Sequence, residues 1–370
     1  MLVHVEPVTT RRDLADFVAL PYALHRGDPC WVAPLRRDVR AQLSRQANPF
    51  FDHGEAQYFL ARAGGRDVGR IAAIHNRLHN EVHGDRVGFF GFFESAQDPE
   101  AASALLEAAA VWLRGRGLTV MRGPASFSTN DEAGLLVDGF DTPPTVMMPH
   151  NPAYYAALLE GAGLRKAKDL LVYRRAPDPL PPRIVQAAAV LERRHAITVR
   201  PLDPRRFEAE VDLVKQLYNA AWERNWGFVP MTDREIAHLA RQLRPVVVPE
   251  LVVFAEREGR PVGFGVAVPD VNVALRRNPS GRLFPGLLKV WWAARRIDRL
   301  RVLLLGTAPE WRGKGLDMLL YREIWEAARR KGYRWAEAGW VLEDNHVMRN
   351  ALARMGFEPY KTYRLYERAL

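Results

Sequence analysis

Arg301-Val-Leu-Leu-Leu-Gly306 runs directly into Thr307-Ala308-Pro309-Glu310-Trp311-Arg312-Gly313-Lys314-Gly315-Leu316. The next residues, Leu316–Arg330 (LDMLLYREIWEAARR), carry the apolar spacing of a helix. An apolar strand therefore meets a short loop with two glycines and two cations, and the loop opens a helix. Glycine lets the backbone bend and come close to a ligand. The N–H groups of a helix start favour an anion, and Arg312 and Lys314 add full charges. The stretch reads as a cradle for a pyrophosphate. Two familiar phosphate loops are excluded. No glycine follows Gly315 three residues later, as a dinucleotide fingerprint requires, and no Gly-Lys-Ser/Thr closes a Walker loop.

Downstream come a strand at Tyr333–Val341 (YRWAEAGWV), then Glu343-Asp344-Asn345, a helix over Val347–Met355, Gly356-Phe357 and a last strand at Tyr360–Tyr366. With Pro309, Arg312, Gly313 and Gly315, this order resembles the GNAT acyl-CoA N-acyltransferases, whose motif is Val-x-Pro-x-x-Arg-Gly-x-Gly-x-Gly/Ala. Thr307 takes the Val place, and Asp317 stands where Gly or Ala is usual. The resemblance implies an α/β fold with a mixed sheet, and acyl-CoA or acetyl-CoA as co-substrate without a metal. It sets the N–H groups of Gly306 and Thr307 toward the thioester oxygen. Arg312, Gly313, Lys314, Gly315 and Leu316 fall on the pyrophosphate, and Asn345 on pantetheine or a water. Arg349, on the helix predicted over Val347–Met355, joins the cofactor-binding set.

Composition bounds the rest. At 370 residues two domains are expected. The single cysteine, Cys30, rules out an intrachain disulfide. The N-terminal MLVHVEPVTTRRDLADF has no apolar h-region, and no apolar run is long enough to span a bilayer, so the cytoplasm is the expected location. A net charge of +10 attracts polyanions such as CoA, nucleic acid or an anionic leaflet without choosing among them. No helix-turn-helix, zinc or RRM signature supports nucleic acid. His75, His79 and His83 have helical spacing, but we expect them to leave a strand into a polar loop and to hold no metal.

An internal duplication organises the chain. Ala61–Ile74 (ARAGGRDVGRIAAI) and Ala255–Val268 (AEREGRPVGFGVAV) share residues in register at an interval of 194, and Asn151 and Asn345 are separated by the same interval. Each segment reads as a hairpin about Gly64-Gly65 or Glu258-Gly259. We therefore expect two tandem copies of one fold: residues 1–174, a proline-rich linker and short helix over 175–197, and 198–370. After Glu94 the first copy has Ser95-Ala96-Gln97-Asp98-Pro99, without glycines or cations. It is expected to be degenerate and to serve as scaffold or substrate wall. Its polar loop Gly123–Glu132 is either a substrate contact or an ordinary capped loop.

N-acylation needs a neutral amine, yet an alkyl ammonium with a pKa near 10.4 is almost wholly protonated at pH 7, so a base is useful. Glu337 sits mid-strand between Trp335, Ala336, Ala338 and Trp340, where desolvation would raise its pKa. Glu343 and a water chain are the rivals. Many GNAT enzymes place an acid Tyr four residues before the Gly of Gly-Phe; here that residue is Leu352, leaving Tyr360 or Tyr363 as substitutes. A carboxylate at Asp317 would repel a phosphate, so either it turns away, toward Arg312 or Arg322, or the cofactor lies differently.

The duplicated layout, with Asn48-Pro49-Phe50-Phe51, Gly91-Phe92-Phe93-Glu94, Asn225-Trp226-Gly227-Phe228-Val229-Pro230 and Leu342-Glu343-Asp344-Asn345, resembles the bacterial ceramide synthase-like branch. That implies N-acylation of a long-chain amine. Asn225, Trp226 and Trp340 are the expected substrate contacts, Asn225-Trp226 being either part of a lid or a plain interhelical turn. Between Asp270 and Arg301 lies an insertion containing Leu283-Phe284-Pro285-Gly286-Leu287-Leu288-Lys289-Val290-Trp291-Trp292. Tryptophan beside arginine suits peripheral contact with the inner membrane, or else the helix packs on protein. Acetylation of a small polar amine or protein, and a non-catalytic CoA-binding scaffold, remain open. Oligomeric state is not legible.

Overall fold

The computed structural model describes every residue except Met1, Pro177, Glu223 and Arg224. Its strands are β1 (Val3–Pro7), β2 (Gly54–Ala63), β3 (Arg66–Asn76), β4 (Val87–Ser95), β5 (Val120–Gly123), β6 (Leu135–Asp138) and β7 (Arg165–Arg175). They continue with β8 (Ile197–Pro201), β9 (Val252–Arg257), β10 (Arg260–Pro269), β11 (Arg299–Thr307), β12 (Trp335–Leu342) and β13 (Glu358–Ala369). The chain forms two compact units, neither contiguous in sequence. One comprises Met1–Leu170, Asn272–Arg295 and Lys361–Leu370; the other comprises Leu171–Val271 and Arg296–Tyr360.

These bounds differ from the contiguous halves 1–174 and 198–370. In the first unit the strand order is β1-β2-β3-β4-β5-β13, with β6 also on β13. The chain's last strand lies antiparallel to β5, with Tyr366 opposite Gly123, and to β6, with Arg364 opposite Leu135. The short β5 would otherwise expose a row of unpaired N–H and C=O groups, and β13 covers that edge. In the second unit the order is β7-β12-β11-β10-β9-β8, with β7 contributing from Leu171 onward.

Local sequence explains the elements. The β2–β3 turn has φ of 56° at Gly64 and 75° at Gly65, and the β9–β10 turn has 52° at Glu258 and 73° at Gly259. Positive φ at both central residues matches the twist of the flanking strands. The helix Pro99–Arg114 starts where the Asp98 side chain accepts from the N–H groups of Glu100 and Ala101. It buries Leu105, Leu106, Ala109 and Leu113 against Phe59, Ile71 and Phe90. Each buried leucine contributes roughly 1.5–3 kcal/mol. In the second unit the helix Leu316–Arg330 buries Leu316, Leu319, Leu320, Ile324, Ala327 and Ala328. A Cβ on Gly265 would lie 2.7 Å from Ile324, so glycine is what lets this helix settle onto β10.

His75 lies on β3, as expected, but His79 and His83 lie on a short helix, Arg77–His83, rather than in a polar loop. Asn76 caps it by accepting from the His79 N–H, and Gly84 ends it at φ 63°. His79 packs its ring 4.4 Å from that of His83 and reaches Asp85 at 3.3 Å. Burial pushes the His79 pKa down to about 4 against the pull of Asp85. Among the described residues no group of three or more His, Cys, Asp or Glu could hold a metal ion.

β4 contains a bulge, since Arg70 faces Glu94 while Ala72 faces Gly91. A Cβ on Gly91 would lie 2.4 Å from the main-chain oxygen of Ala125, which cannot swing aside as a side chain can. Gly91→Ala is therefore expected to lower unfolding free energy by about 1–3 kcal/mol. Urea denaturation reads this directly, and an unchanged midpoint would refute the close approach.

Candidate active site

β11 and β12 run parallel only part of the way. Their ladder pairs Arg299 with Trp335, Leu300 with Ala336, Arg301 with Glu337 and Val302 with Ala338. Beyond Val302 and Ala338, β11 continues to Thr307 and β12 to Leu342 with no further pairs in that ladder. At the same depth β11 bulges against β10: Ala267 faces Val302 but Val266 faces Leu304, so Leu303 is the extra residue. A bulge bends a strand and interrupts its ladder. The two strands thus fork, with half-buried Leu303, Leu304 and Leu305 on one prong and Trp340 on the other.

A buried polar set lies at the root of the fork. Glu337 is 1% exposed. One of its oxygens lies 3.5 Å from Arg301 Nε, and the other accepts the hydroxyl hydrogen of Tyr360. The Arg301 guanidinium also donates to the carbonyl oxygen of Gly339 at 2.9 Å, just past the last paired residues. Glu337 is thus desolvated as expected, but it faces a cation and a phenol. Taking a proton from an amine would disrupt that pairing. Sequence reading missed Arg301; the available signal was a cation and an anion inside two otherwise apolar strands.

The phosphate loop leaves the open end of β11. Gly313 and Gly315 take φ of 70° and 86°. A Cβ added at Gly313 would meet no atom within 4 Å, so the turn is open there. Trp311 anchors the loop at 5% exposure, with the Lys314 ammonium 5.2 Å from its ring centroid and Arg257 at 5.9 Å. Arg312 is committed elsewhere. Its guanidinium donates to Ala220 O and lies 3.5 Å from Ala221 O. Those carbonyls close the helix Phe207–Trp222, where a cation is favoured. Gly306 permits that approach, since a Cβ there would lie within 2.9 Å of Trp222, Phe264 and Ala221.

Asp317 turns neither to Arg312 nor to Arg322, contrary to the first expected alternative, and the helix geometry gives the reason. Arg322 is held by Glu192 at 2.8 Å and Glu323 at 2.6 Å. The Asp317 carboxylate instead accepts from its own N–H and shares that of Met318, which also donates to Gly315 O at 3.1 Å. Burial pushes its pKa above the ordinary range, against those two donors. An internal carboxylate therefore occupies part of the helix start.

Around the outlet, Asn345 caps the helix His346–Arg354 by accepting from the Met348 N–H at 3.1 Å. Arg349 donates to Glu343 O at 2.6 Å, and its buried Nε has no hydrogen-bond partner among the described residues. Glu343 is half-buried. Leu352 is fully buried. Tyr363 belongs to the first unit, where it is fully buried and donates to Pro149 O at 3.0 Å. Asn225 and Trp226 form a turn pinned by buried Phe228 and Val229, with Phe228 N–H donating to Asn225 O at 3.1 Å. The small cavity behind the fork, lined by Val302, Tyr321, Trp325 and Phe357, is about 10 Å³ and too small for a ligand.

Residues 211–357, which contain the fork and the loop, match the model of the acetyltransferase (GNAT) family. Over 100% of its length the chain is 39% identical to the bacterial ceramide synthase of Caulobacter vibrioides, spanning 98% of that protein. It is 36% identical to protein YghO of Escherichia coli, over 99% of this chain and 95% of that one. The chain belongs to the GNAT family. It is an N-acyltransferase of that family. Among solved structures, a tandem GNAT protein from the clavulanic acid biosynthesis pathway matches with a TM-score of 0.59 at 15% identity, covering 100% of this chain and 98% of that one. A GNAT protein of Sphaerobacter thermophilus matches at 0.55 and 14%, covering 99% and 95%. These likenesses establish the fold.

The duplicated GNAT plan is visible in the ladders. β4 and β5 pair in parallel from Val87–Val120 to Phe89–Arg122, then part as β11 and β12 do. In the first unit the opening is filled: Ala125 N–H donates to Phe90 O at 2.8 Å, and Phe127 packs among Phe50, Phe51 and Phe92. The loop Gly123–Glu132 folds back on itself, with Ser126 N–H on Glu132 O. In the first copy the loop after β5 thus closes the fork.

Removing the carboxylate at the open fork should show what it does. Glu337→Ala leaves Arg301 buried without its anion, and about 3–5 kcal/mol of stability should be lost. Glu337→Gln keeps an acceptor oxygen for Arg301 and offers its NH2 to the Tyr360 hydroxyl oxygen, and should lose less. Guanidinium melts measure both, and a Glu337→Ala protein as stable as the parent would remove the pair from the fork's architecture.

Proposed function

We propose that the protein transfers a fatty acyl group from acyl-CoA to the amine of a long-chain, sphingoid-like base at the cytoplasmic face. The observation carrying this reading is the β11–β12 fork, opening between leucines and a tryptophan into a glycine turn with free space at Gly313. The near-full-length likeness to a protein named bacterial ceramide synthase supports the lipid acceptor. When bound, acyl-CoA supplies an acyl carbonyl activated as a thioester.

The chain's residues divide the work. N–H groups at Gly313, Gly315 and Leu316 face the pyrophosphate, with Lys314 supplying charge at the surface. Arg349, whose buried Nε has no partner among the described residues, offers a further donor on the CoA side. Main-chain N–H groups of β11 near Gly306 and Thr307 polarise the acyl carbonyl. Glu343, half-buried past the end of β12, takes the proton that the amine must release as the C–N bond forms and the C–S bond breaks. Glu337 is a positioning residue that holds Arg301 and Tyr360. Leu303, Leu305 and Trp340 give the acyl chain apolar walls, each buried methylene contributing about 0.8 kcal/mol.

Purified protein titrated with acetyl-, palmitoyl- and free CoA, then assayed with a sphingoid base and with polar amines, tests the whole reading. Palmitoyl-CoA should bind tightest, and an N-acyl sphingoid product should appear by mass spectrometry. Selectivity for acetyl-CoA and a polar amine would favour small-amine acetylation, whereas absent CoA binding would leave a non-catalytic scaffold. Glu343→Gln should reduce kcat by about 10²-fold or more with CoA affinity unchanged. Full turnover in that variant would remove Glu343 from proton transfer.

The carboxylate at the helix start competes with a bound pyrophosphate. Asp317→Ala should tighten palmitoyl-CoA binding about tenfold, the equivalent of about 1.4 kcal/mol. Calorimetric titration decides this, and weaker binding in the variant would mean that Asp317 helps the loop hold its ligand.

A further inference from the structure

The insertion Asn272–Arg295 belongs to the first unit and carries an unusual helix. Gly286–Ala294 is amphipathic in reverse, with its small residues Gly286 and Ala293 buried and its large apolar residues outward. Phe284 is 75% exposed, Leu288 67%, Trp291 62% and Trp292 53%, with Leu287 also exposed. Leu287, Leu288, Trp291 and Trp292 have the spacing of one helix face, and Phe284 lies in the turn just before that helix. A lone exposed leucine means nothing, but a contiguous stripe of this kind marks an interaction surface.

The surroundings of the stripe select its partner. From Asn272 to Arg295 the chain has five cations (Arg276, Arg277, Arg282, Lys289 and Arg295) and no acid, and all five are exposed. Arg295 stacks 4.1 Å from the Trp291 ring centroid, placing a guanidinium beside the indole. Tryptophan and arginine together suit the headgroup layer, where rings sit between oil and water and cations meet lipid phosphates. A protein partner would have to desolvate a ring of cations with acids of its own, and this segment supplies none for a second copy of the chain.

The mount is rigid. Arg36 N–H donates to Gly281 O at 2.9 Å and its Nε to Ser280 O at 2.9 Å, while Arg276 donates to Pro29 O. Asn278 donates to Arg282 O at 2.8 Å, and a Cβ on Gly286 would strike the Asn278 side chain at 2.2 Å. The stripe is therefore held outward by a packed base. Among the described residues no helix is long and apolar enough to cross a membrane.

We propose that Phe284, Leu288, Trp291 and Trp292, ringed by Arg282, Lys289 and Arg295, form a docking surface for an anionic lipid bilayer. The helix lies in the interface and inserts its outer face among the headgroups. This inference concerns where the protein resides and stands apart from its acyl-transfer chemistry.

Co-sedimentation of the full chain with vesicles of phosphatidylglycerol and phosphatidylcholine, against pure phosphatidylcholine vesicles, tests it. Binding to the anionic vesicles should be at least about tenfold tighter and should weaken with salt. Trp fluorescence should shift to the blue on binding. Trp291→Ser with Trp292→Ser should lower vesicle affinity about tenfold or more, as should Arg282→Glu with Lys289→Glu. Both variants change exposed positions, so thermal melts and palmitoyl-CoA affinity should match the parent. Failure of the parent to bind anionic vesicles, or equal binding by the tryptophan variant, would overturn the proposal. So would sedimentation showing a parent dimer that the tryptophan variant dissociates without any vesicle binding.

Discussion

The second unit depends on two parallel strands that must pair at one end and part at the other. Arg301 and Glu337 face each other near the end of the ladder, with Tyr360 on the far carboxylate oxygen. A buried ion pair is poor evidence for stability, because desolvation offsets much of the attraction. Its use here is geometric. The guanidinium reaches the Gly339 carbonyl, giving that oxygen a donor where the neighbouring strand no longer supplies one. A main-chain acceptor left bare at this depth would be costly. The pair thus allows the strands to separate without an unsatisfied group at the fork.

Glycine then sets how close the helices come. Gly263 and Gly265 receive Leu316, Leu320 and Ile324 of the loop helix, and Gly306 receives the end of the helix Phe207–Trp222. This packing fixes the start of the loop helix relative to the fork. It also diverts Arg312, whose charge closes a neighbouring helix C-terminus. A motif arginine can therefore keep its place in the sequence while its charge serves the scaffold. Lys314, exposed on the same loop, is left as its other cation.

Much of this was legible. The helix Pro99–Arg114, the loop helix, both hairpins and the fork strand after the insertion lie where periodicity and turn residues put them, because each depends on contacts within its own segment. The family could be read from Pro309, Arg312, Gly313, Gly315 and the Asn345 to Phe357 segment. What eluded the sequence was long-range. Nothing in Lys361–Leu370 says that it will cover β5 rather than a strand of its own half, since an alternating strand fits either edge. The pairing of Arg301 with Glu337 depends on register between strands separated by a helix. Asp317 was visible as a departure, but its destination required the positions of backbone N–H groups that a sequence does not display.

The two copies show what separates an open fork from a closed one. Both have parallel strands that part after a few pairs, a bulge on the strand before the helix, and a carboxylate at the helix start, Asp98 in one and Asp317 in the other. The acid alone therefore does not decide which copy can take a ligand. The difference lies in the residues just past each strand end. After β5 comes Gly123-Pro124-Ala125, which hydrogen-bonds back to Phe90 and drives Phe127 into an aromatic cluster. After β12 comes Glu343-Asp344-Asn345, whose polar side chains favour the surface and whose asparagine begins a helix, so the chain turns away. The apolar content of a few residues past one strand end thus determines whether the fork becomes core or stays open to solvent.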